Sequence, residues 1–350
     1  MRTLIRFAPL TLALLLLGQG CLIGFGGGGT DGGVYRTANR GQEWIQKGAV
    51  LSVGGARSLA NANILVFEAD PQDPATVYAG TGEDGLFYTT DGGESWTQPR
   101  ALSGARIGSI AVDPRNKCVV YATSGAVVVK TTDCTRTWSK AFEDTRAEVA
   151  LASVVVDHFN PSIVFVGTSK GDLLKSSDAG ASWAPQRVFG SAVARIVVDP
   201  FDSRVLMVGT RGNGVWRSPD GGANWTDVSG DLSRFDGTRD LYDLVSDRSA
   251  RDTYVLVSRY GLNKTADGGT HWEAVNLLTP PGQTRIYSFA LNPKNGLEMY
   301  YATATIFYRT GSGGPPWTTR RLPTSRAGSA LLVDPANPAS LYLGTIKLKQ

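Results

Sequence analysis

The chain has 350 residues, 42% of them hydrophobic and 19% charged, which is enough for a large buried core without disulfide or metal staples. Its formal charge of +4 includes Arg2 and Arg6 of a leader-like start; without them 33 basic residues face 31 acidic ones, too even a balance for a nucleic-acid-binding surface. Forty-two glycines and eight tryptophans point to a repetitive all-β protein with many tight turns.

Residues 1–20 read as a signal peptide. Arg2 and Arg6 give the positive start, and Leu10 to Leu17 give an apolar stretch too short to span a bilayer as a stable helix. The segment ends at Gly18-Gln19-Gly20-Cys21, which resembles a bacterial lipoprotein cleavage site, although Gly18 and Gln19 are not the usual residues there. That resemblance implies a lipidated Cys21 and attachment to a membrane by acyl chains alone; ordinary secretion is the alternative. Residues 21–32 are glycine-rich and read as a flexible tether.

From residue 33 to 350 one unit recurs. Its second half is clearest at Leu86-Phe87-Tyr88-Thr89-Thr90-Asp91-Gly92-Gly93-Glu94-Ser95-Trp96, and returns with Asp133 and Trp138, Asp178 and Trp183, Asp220 and Trp225, and Asp267 and Trp272. Worn copies end at Trp44 and Trp317. The first half is an apolar strand, an Asp-Pro turn and a second strand, as at Ile110-Ala111-Val112-Asp113-Pro114 followed by Val119 to Thr123. Further copies fall at Asp70, Asp157, Asp199, Asp247, Asn292 and Asp334. Seven halves of each kind, spaced like propeller blades, predict one all-β, seven-bladed β-propeller of four-stranded antiparallel blades. The chain opens on a second half (Val34 to Trp44) and closes on a first half (Leu331 to Gly344). The N- and C-terminal strands are therefore expected to share one blade, closing the ring and removing its free edges. Within each second half the aspartate is expected to accept backbone amides across a tight turn, and the tryptophan to pack between sheets.

These residues resemble the Asp-box repeat, Ser/Thr-x-Asp-x-Gly-x-Thr-Trp. The resemblance is good at 89–96, 176–183, 218–225 and 265–272, partial at 131–138, where Thr135 replaces glycine, and poor at 37–44 and 310–317. It covers nearly the whole chain after the leader and is specific for fold, much less so for function. The joint unit looks most like photosystem II assembly factor-like propellers, with sortilin-like receptors close and sialidases and xyloglucan-cleaving glucanases more distant. The sialidase Arg-Ile-Pro motif is missing from the first blade; Arg321-Leu322-Pro323 imitates it in the last blade and reads as a loop. The xyloglucan-cleaving enzymes work in a cleft between two propellers, and one propeller fits here.

Other constellations are sparse. His158 and His271 are the only histidines, which argues against a histidine metal site or a Ser-His-Asp triad. The box aspartates read as spent on their own turns rather than on calcium, so no metal or cofactor is expected. Cys118 and Cys134 fall in one blade, where the hairpin brings residue 118 opposite roughly residue 131. A disulfide there would suit an extracytoplasmic compartment and would replace the lost glycine turn; two separate buried thiols are the alternative.

The turns between first and second strands and the Asp boxes share one end of the ring. The crossovers between blades gather at the other, together with the hairpins between second and third strands. The crossovers place Arg106, Arg195, Arg239, Arg285 and Arg326 just before the innermost strands, with Arg57 and Arg146 further upstream and Arg211 and Arg259 in the hairpins. The expectation is an arginine-bearing funnel that binds a protein carboxylate or an acidic glycan at the cell envelope, periplasmic or surface-exposed. The bland reading pairs these arginines with Glu83, Asp84, Glu148, Asp172 and Asp240. A non-catalytic, monomeric binding or assembly scaffold is thus favoured. The alternative is a glycoside hydrolase or lyase using Glu83, Asp84 or Tyr260, for which no facing carboxylate pair stands out.

Overall fold

The computed structural model describes residues 31–52, 55 and 57–348; the expected signal peptide and the expected lipidation site, Cys21, lie outside the described residues. Six antiparallel sheets of four strands and one of three make seven blades. Blade 1 holds Ile64–Ala69, Val77–Thr81 and Leu86–Thr89. Blade 2 runs from Ile107–Val112 to Ser139–Glu143, blade 3 from Leu151–Val156 to Ala184–Val188, and blade 4 from Val193–Val198 to Thr226–Asp227. Blade 5 runs from Leu241–Ser246 to Glu273–Ala274 and blade 6 from Ser288–Asn292 to Thr318–Arg321. The first strand of each blade touches the first strand of the next, and that of blade 7, Ala327–Val333, touches that of blade 1. The ring is closed.

Blade 7 is composite. Val34–Thr37 pairs antiparallel with Leu341–Ile346 in the register Val34 to Gly344 and Thr37 to Leu341, and Ile45–Gln46 forms the outer edge. Neither end of the chain makes a sheet alone, so the last core interface forms only when both ends arrive. Val34, Phe67, Trp96 and Tyr342 then share one buried cluster across blades 7 and 1.

Second strands are covered on both faces by neighbouring blades, so they read as unbroken apolar runs; every residue of Val77–Thr81, Val164–Thr168, Leu206–Thr210 and Tyr254–Ser258 is buried. A glycine recurs in these strands where the next blade's first strand comes closest. A Cβ on Gly167 would sit 2.4 Å from Val193, and one on Gly344 would sit 2.5 Å from Ile64.

The Asp boxes are built as the pattern predicts. Asp91 Oδ1 accepts the Ser95 amide and the Thr89 hydroxyl, while Thr89 Oγ1 accepts the Gly93 amide. The same set recurs around Asp133, Asp178, Asp220 and Asp267. Partial burial of Asp91 opposes its charge, but the Ser95 hydroxyl and amide outweigh it and hold the carboxyl at about 2. The worn box at 37–44 keeps the geometry with Asn39, which accepts from Thr37 and from the Glu43 amide. Box tryptophans reach the preceding blade: Trp96, Trp183 and Trp272 donate their indole N–H to the carbonyls of Lys47, Ala141 and Val228.

Cys118 and Cys134 form a disulfide. Cys134 and Thr135 hold φ of 57° and 69°, where the box of blade 1 has Gly92 and Gly93 at 72° and 90°. A cross-link thus stands where glycine would have relieved the strain.

Blade 1 departs from the four-stranded pattern. Its outer segment is reduced to isolated bridges, Tyr88 to Thr97 and Gly85 to Ser103, and the backbone of Trp96 is taken by Ala49 and Leu51. Those residues lie in the crossover from blade 7, which pairs Ala49–Val50 with Arg57–Ser58 as a two-stranded ribbon.

Candidate functional site

The crossover face is uneven. The crossovers entering blades 3, 4 and 7 are short; besides the ribbon-bearing one into blade 1, those entering blades 5 and 6 are long: residues 228–240, which contain a 3-10 turn at Gly230–Arg234, and residues 275–287. They stand beside each other and build a wall over blades 4 to 6. Phe235 packs on Tyr260 with ring centroids 5.1 Å apart. A cleft of about 280 Å³ opens between Tyr260 and the loop carrying Leu277, Leu278 and Pro280. Leu278 is 55% exposed, so the cleft offers apolar surface to solvent. Next to it in chain order, Arg285 lies over the rings of Tyr242 and Tyr287, at 4.7 and 5.1 Å from their centroids. Such a sandwich fixes the guanidinium plane and leaves its edge donors to a ligand.

Besides Arg285, the other eight arginines read from the sequence divide into three groups. Arg106, Arg211 and Arg239 are exposed and have no side-chain partner among the described residues, and Arg57 is exposed on the ribbon between blades 7 and 1. Arg146 and Arg259 are held by acids: Arg146 by Asp144 and Asp172, both at 2.6 Å, and Arg259 by Asp240 at 2.7 Å and Asp236 at 3.5 Å. Hydrogen bonds from Arg146 keep the carboxyls of Asp144 and Asp172 below the ordinary carboxylate range. Arg195 and Arg326 serve the scaffold. Arg195 lies within the first strand of blade 4 rather than before it, 3.4 Å from Asp243 of blade 5. Arg326 donates to the Asn61 carbonyl and its side chain is 14% exposed, so it fastens the blade 7 to blade 1 crossover.

Of the acids weighed as their partners, Asp172 and Asp240 do accept arginines. Glu83, Asp84 and Glu148 are exposed and form no ion pair among the described residues. Sequence reasoning missed Tyr242, Tyr287 and the Leu277–Leu278 loop. The signal was there in Leu277-Leu278-Thr279-Pro280-Pro281, an apolar pair and two prolines in a crossover.

The axial channel carries charge as well. Glu68, on the first strand of blade 1, is enclosed by protein although it keeps some surface toward the channel. That burial pushes its carboxyl up to about 7, against the pull of Arg248 and Arg195. Burial lowers the pKa of His158. Among the described residues no group of three His, Cys, Asp or Glu side chains is placed to hold a metal ion.

Residues 28–213 match the family described as Photosynthesis system II assembly factor YCF48. No curated protein is a match. The fold is similar to that of YCF48 bound to a D1 peptide, at TM-score 0.60 and 15% identity over 82% of this chain and 94% of that one. YCF48 from Cyanidioschyzon merolae is similar at TM-score 0.62 and 16% identity, over 81% and 95%. The GH74 enzyme of Niastella koreensis is similar at TM-score 0.64 and 17% identity, over 86% of this chain and 53% of its own. The chain thus spans about half the length of that enzyme, and likeness at this identity is one of fold.

Proposed function

We propose that this chain, which belongs to the Photosynthesis system II assembly factor YCF48 family, is a non-catalytic scaffold that holds a segment of a partner protein on its crossover face. The observation that carries the reading is Arg285 held between Tyr242 and Tyr287, in the same crossover whose Leu277 and Leu278 line the cleft with Tyr260. An oriented guanidinium sharing a crossover with exposed apolar surface suits a peptide that offers both a carboxylate and an apolar side chain. Arg106, Arg211 and Arg239 add unspent positive charge on the same face. The D1 peptide bound to the similar YCF48 supports a peptide as the kind of ligand. An acidic glycan is the alternative ligand for the same donors.

The reading includes export and a lipid anchor at Cys21, with the propeller as a monomer in the envelope. The Cys118–Cys134 disulfide supports an oxidising compartment. Fractionation of cells carrying wild type and Cys21→Ser tests the anchor: the variant should leave the membrane fraction, and a variant still retained there would end that part of the reading.

Peptides pairing acidic and apolar residues, titrated by fluorescence anisotropy, test the binding face. The Arg106→Ala, Arg239→Ala, Arg285→Ala triple variant should bind about tenfold more weakly or worse, since charge-assisted hydrogen bonds are worth about 1.5–3 kcal/mol. Leu278→Asp should also weaken binding. Equal affinity in wild type and triple variant would remove this face as the site.

A further inference from the structure

A second cleft, of about 340 Å³, lies at the outer edge of the ring, between blades 6 and 7. It sits between the outer hairpin of blade 6 and the worn box of blade 7, and is lined by Arg40, Gln42, Arg309, Thr318 and Arg320 among others. We propose that this cleft binds an oxyanion group: a carboxylate, phosphate or sulfate of a ligand presented at the box side of blades 6 and 7.

The register of blade 6 puts the donors together. Phe307 pairs with Arg320 and Arg309 with Thr318 across the outer two strands, so these four side chains share one face of the hairpin. Arg40 comes from the box loop of blade 7. Glu298, 5% exposed, accepts Arg40 Nε at 3.0 Å, Arg309 Nη2 at 2.7 Å and Arg309 Nε at 3.0 Å on one oxygen, and Asn292 on the other at 2.7 Å. Burial opposes its charge, but the bonds from Asn292 and Arg309 outweigh it and lower its pKa. The carboxylate therefore orients two guanidiniums and neutralises one of them. Arg320 is exposed and has no partner among the described residues. Three cations around one buried anion leave about two positive charges beside the cleft, with free N–H donors on fixed forks.

The repeat itself marks the place. Arg40 occupies the box position filled by Gly92, Gly221 and Gly268 elsewhere, and holds φ of 58° there. Cys134 and Ala179 hold the same position at φ of 57° and 55°, so the left-handed backbone is common to the boxes and Arg40 is the one residue that brings a charge to it. The same box has Asn39 where the others have aspartate, and the neighbouring box has Ser312 at that position. The two boxes that lack the acid are thus adjacent in the ring, and flank the arginine cleft. The box tryptophan of blade 7, Trp44, packs edge-on against Phe307 at the cleft, 5.3 Å between ring centroids. The site is independent of the crossover face, and either can fail alone.

Calorimetric titration of the whole protein with inorganic phosphate, sulfate and tri-galacturonate, at constant ionic strength in chloride, tests it. At least one should bind saturably. A preference for tri-galacturonate would identify carboxylates of a glycan, and a preference for phosphate or sulfate a tetrahedral group. Arg320→Glu should abolish that binding, and Arg40→Gly, which installs the residue other boxes carry at this φ, should weaken it about tenfold. Lys140→Ala, on the outer strand of blade 2, should leave it unchanged. Circular dichroism and melting without anion show whether each variant folds; Arg320→Gln replaces Arg320→Glu if the charge reversal does not. No saturable binding of any probe, or unaltered affinity in folded Arg320 and Arg40 variants, would overturn the proposal.

Discussion

Arg195 of blade 4 and Asp243 of blade 5 meet at 3.4 Å, at the position where blades 2 and 3 carry Ser109 and Ser153. Each of these residues follows a bulge in the first strand. Ser109 Oγ accepts the Val154 amide at 3.1 Å, and Ser153 Oγ accepts the Ile196 amide at 3.3 Å. Serine thus satisfies the backbone edge of the next blade around part of the channel, and an ion pair takes over between blades 4 and 5. Because both side chains are more than a third or about a third exposed, solvent screens the pair. Arg195→Ala should destabilise by less than about 1 kcal/mol, and the difference should shrink in high salt. Denaturant titration at two ionic strengths checks this.

Glu68 gives a pH dependence of opposite sign to the surface acids. Its folded pKa of about 7 lies above the usual carboxylate value of 4.5. Between those values the folded state binds more protons than the unfolded state, so stability falls as pH rises from about 4.5 to 7. Glu68→Gln should flatten that decline and stabilise the protein at pH 8 by about 1–3 kcal/mol. Arg195→Ala should raise the Glu68 pKa further, which a carboxyl NMR titration would read. A Glu68→Gln profile parallel to wild type would contradict the burial argument.

The box aspartates act at acid pH. Hydroxyls of Thr137 and Ser182, with backbone amides, hold Asp133 and Asp178 at about 2, and Asp91 reaches the same value. Depressed folded values mean stabilisation that is complete above about pH 4 and is lost as pH falls through about 2. Melting temperature should therefore drop steeply across this window. Asp91→Ala should cost about 1–2 kcal/mol, as for a lost turn cap. Asp91→Asn should cost less, because Asn39 already makes these bonds without a charge.

The disulfide closes a 16-residue separation, for which chain entropy alone gives about 3 kcal/mol. Reduction, or Cys118→Ser with Cys134→Ser, should lower stability by about 2–3 kcal/mol. Cys118→Ser with Cys134→Gly should recover part of the loss, since glycine accepts the positive φ at 134. Guanidinium unfolding with and without reductant makes the comparison.

The ring seam has its own weak point at Gly344. A methyl group there would meet Ile64 at 2.5 Å and Phe67 at 3.1 Å. Gly344→Ala should force blades 7 and 1 apart and destabilise by about 1–3 kcal/mol. Since this seam joins the two ends of the chain, hydrogen exchange should rise first in Val34–Thr37 and Leu341–Ile346. Loss spread evenly over all blades would argue against a local seam.

The sequence alone determined the ring. Seven boxes and seven Asp- or Asn-led turns, four of them Asp-Pro, are local hydrogen-bonded devices whose residues sit next to one another in the chain, so their spacing fixes strands, turns and blade count. The split repeat at the two ends likewise demands a shared blade, because half a blade leaves an apolar face and a free edge. The Cys118–Cys134 pairing was legible for the same reason. The tertiary structure alone decided which arginines are spent. Arg146 finds Asp172 across a hairpin, Arg326 finds Asn61 across the closing seam, and Arg285 finds Tyr242 from the neighbouring blade. Those partners lie 26, 265 and 43 residues away, and which side chains meet depends on how the blades and crossovers pack. The arginine cleft of blades 6 and 7 belongs with them. In the sequence its boxes are merely worn, and only closure of the ring brings Arg40, from the start of the propeller, against Glu298 and Arg309 near its end.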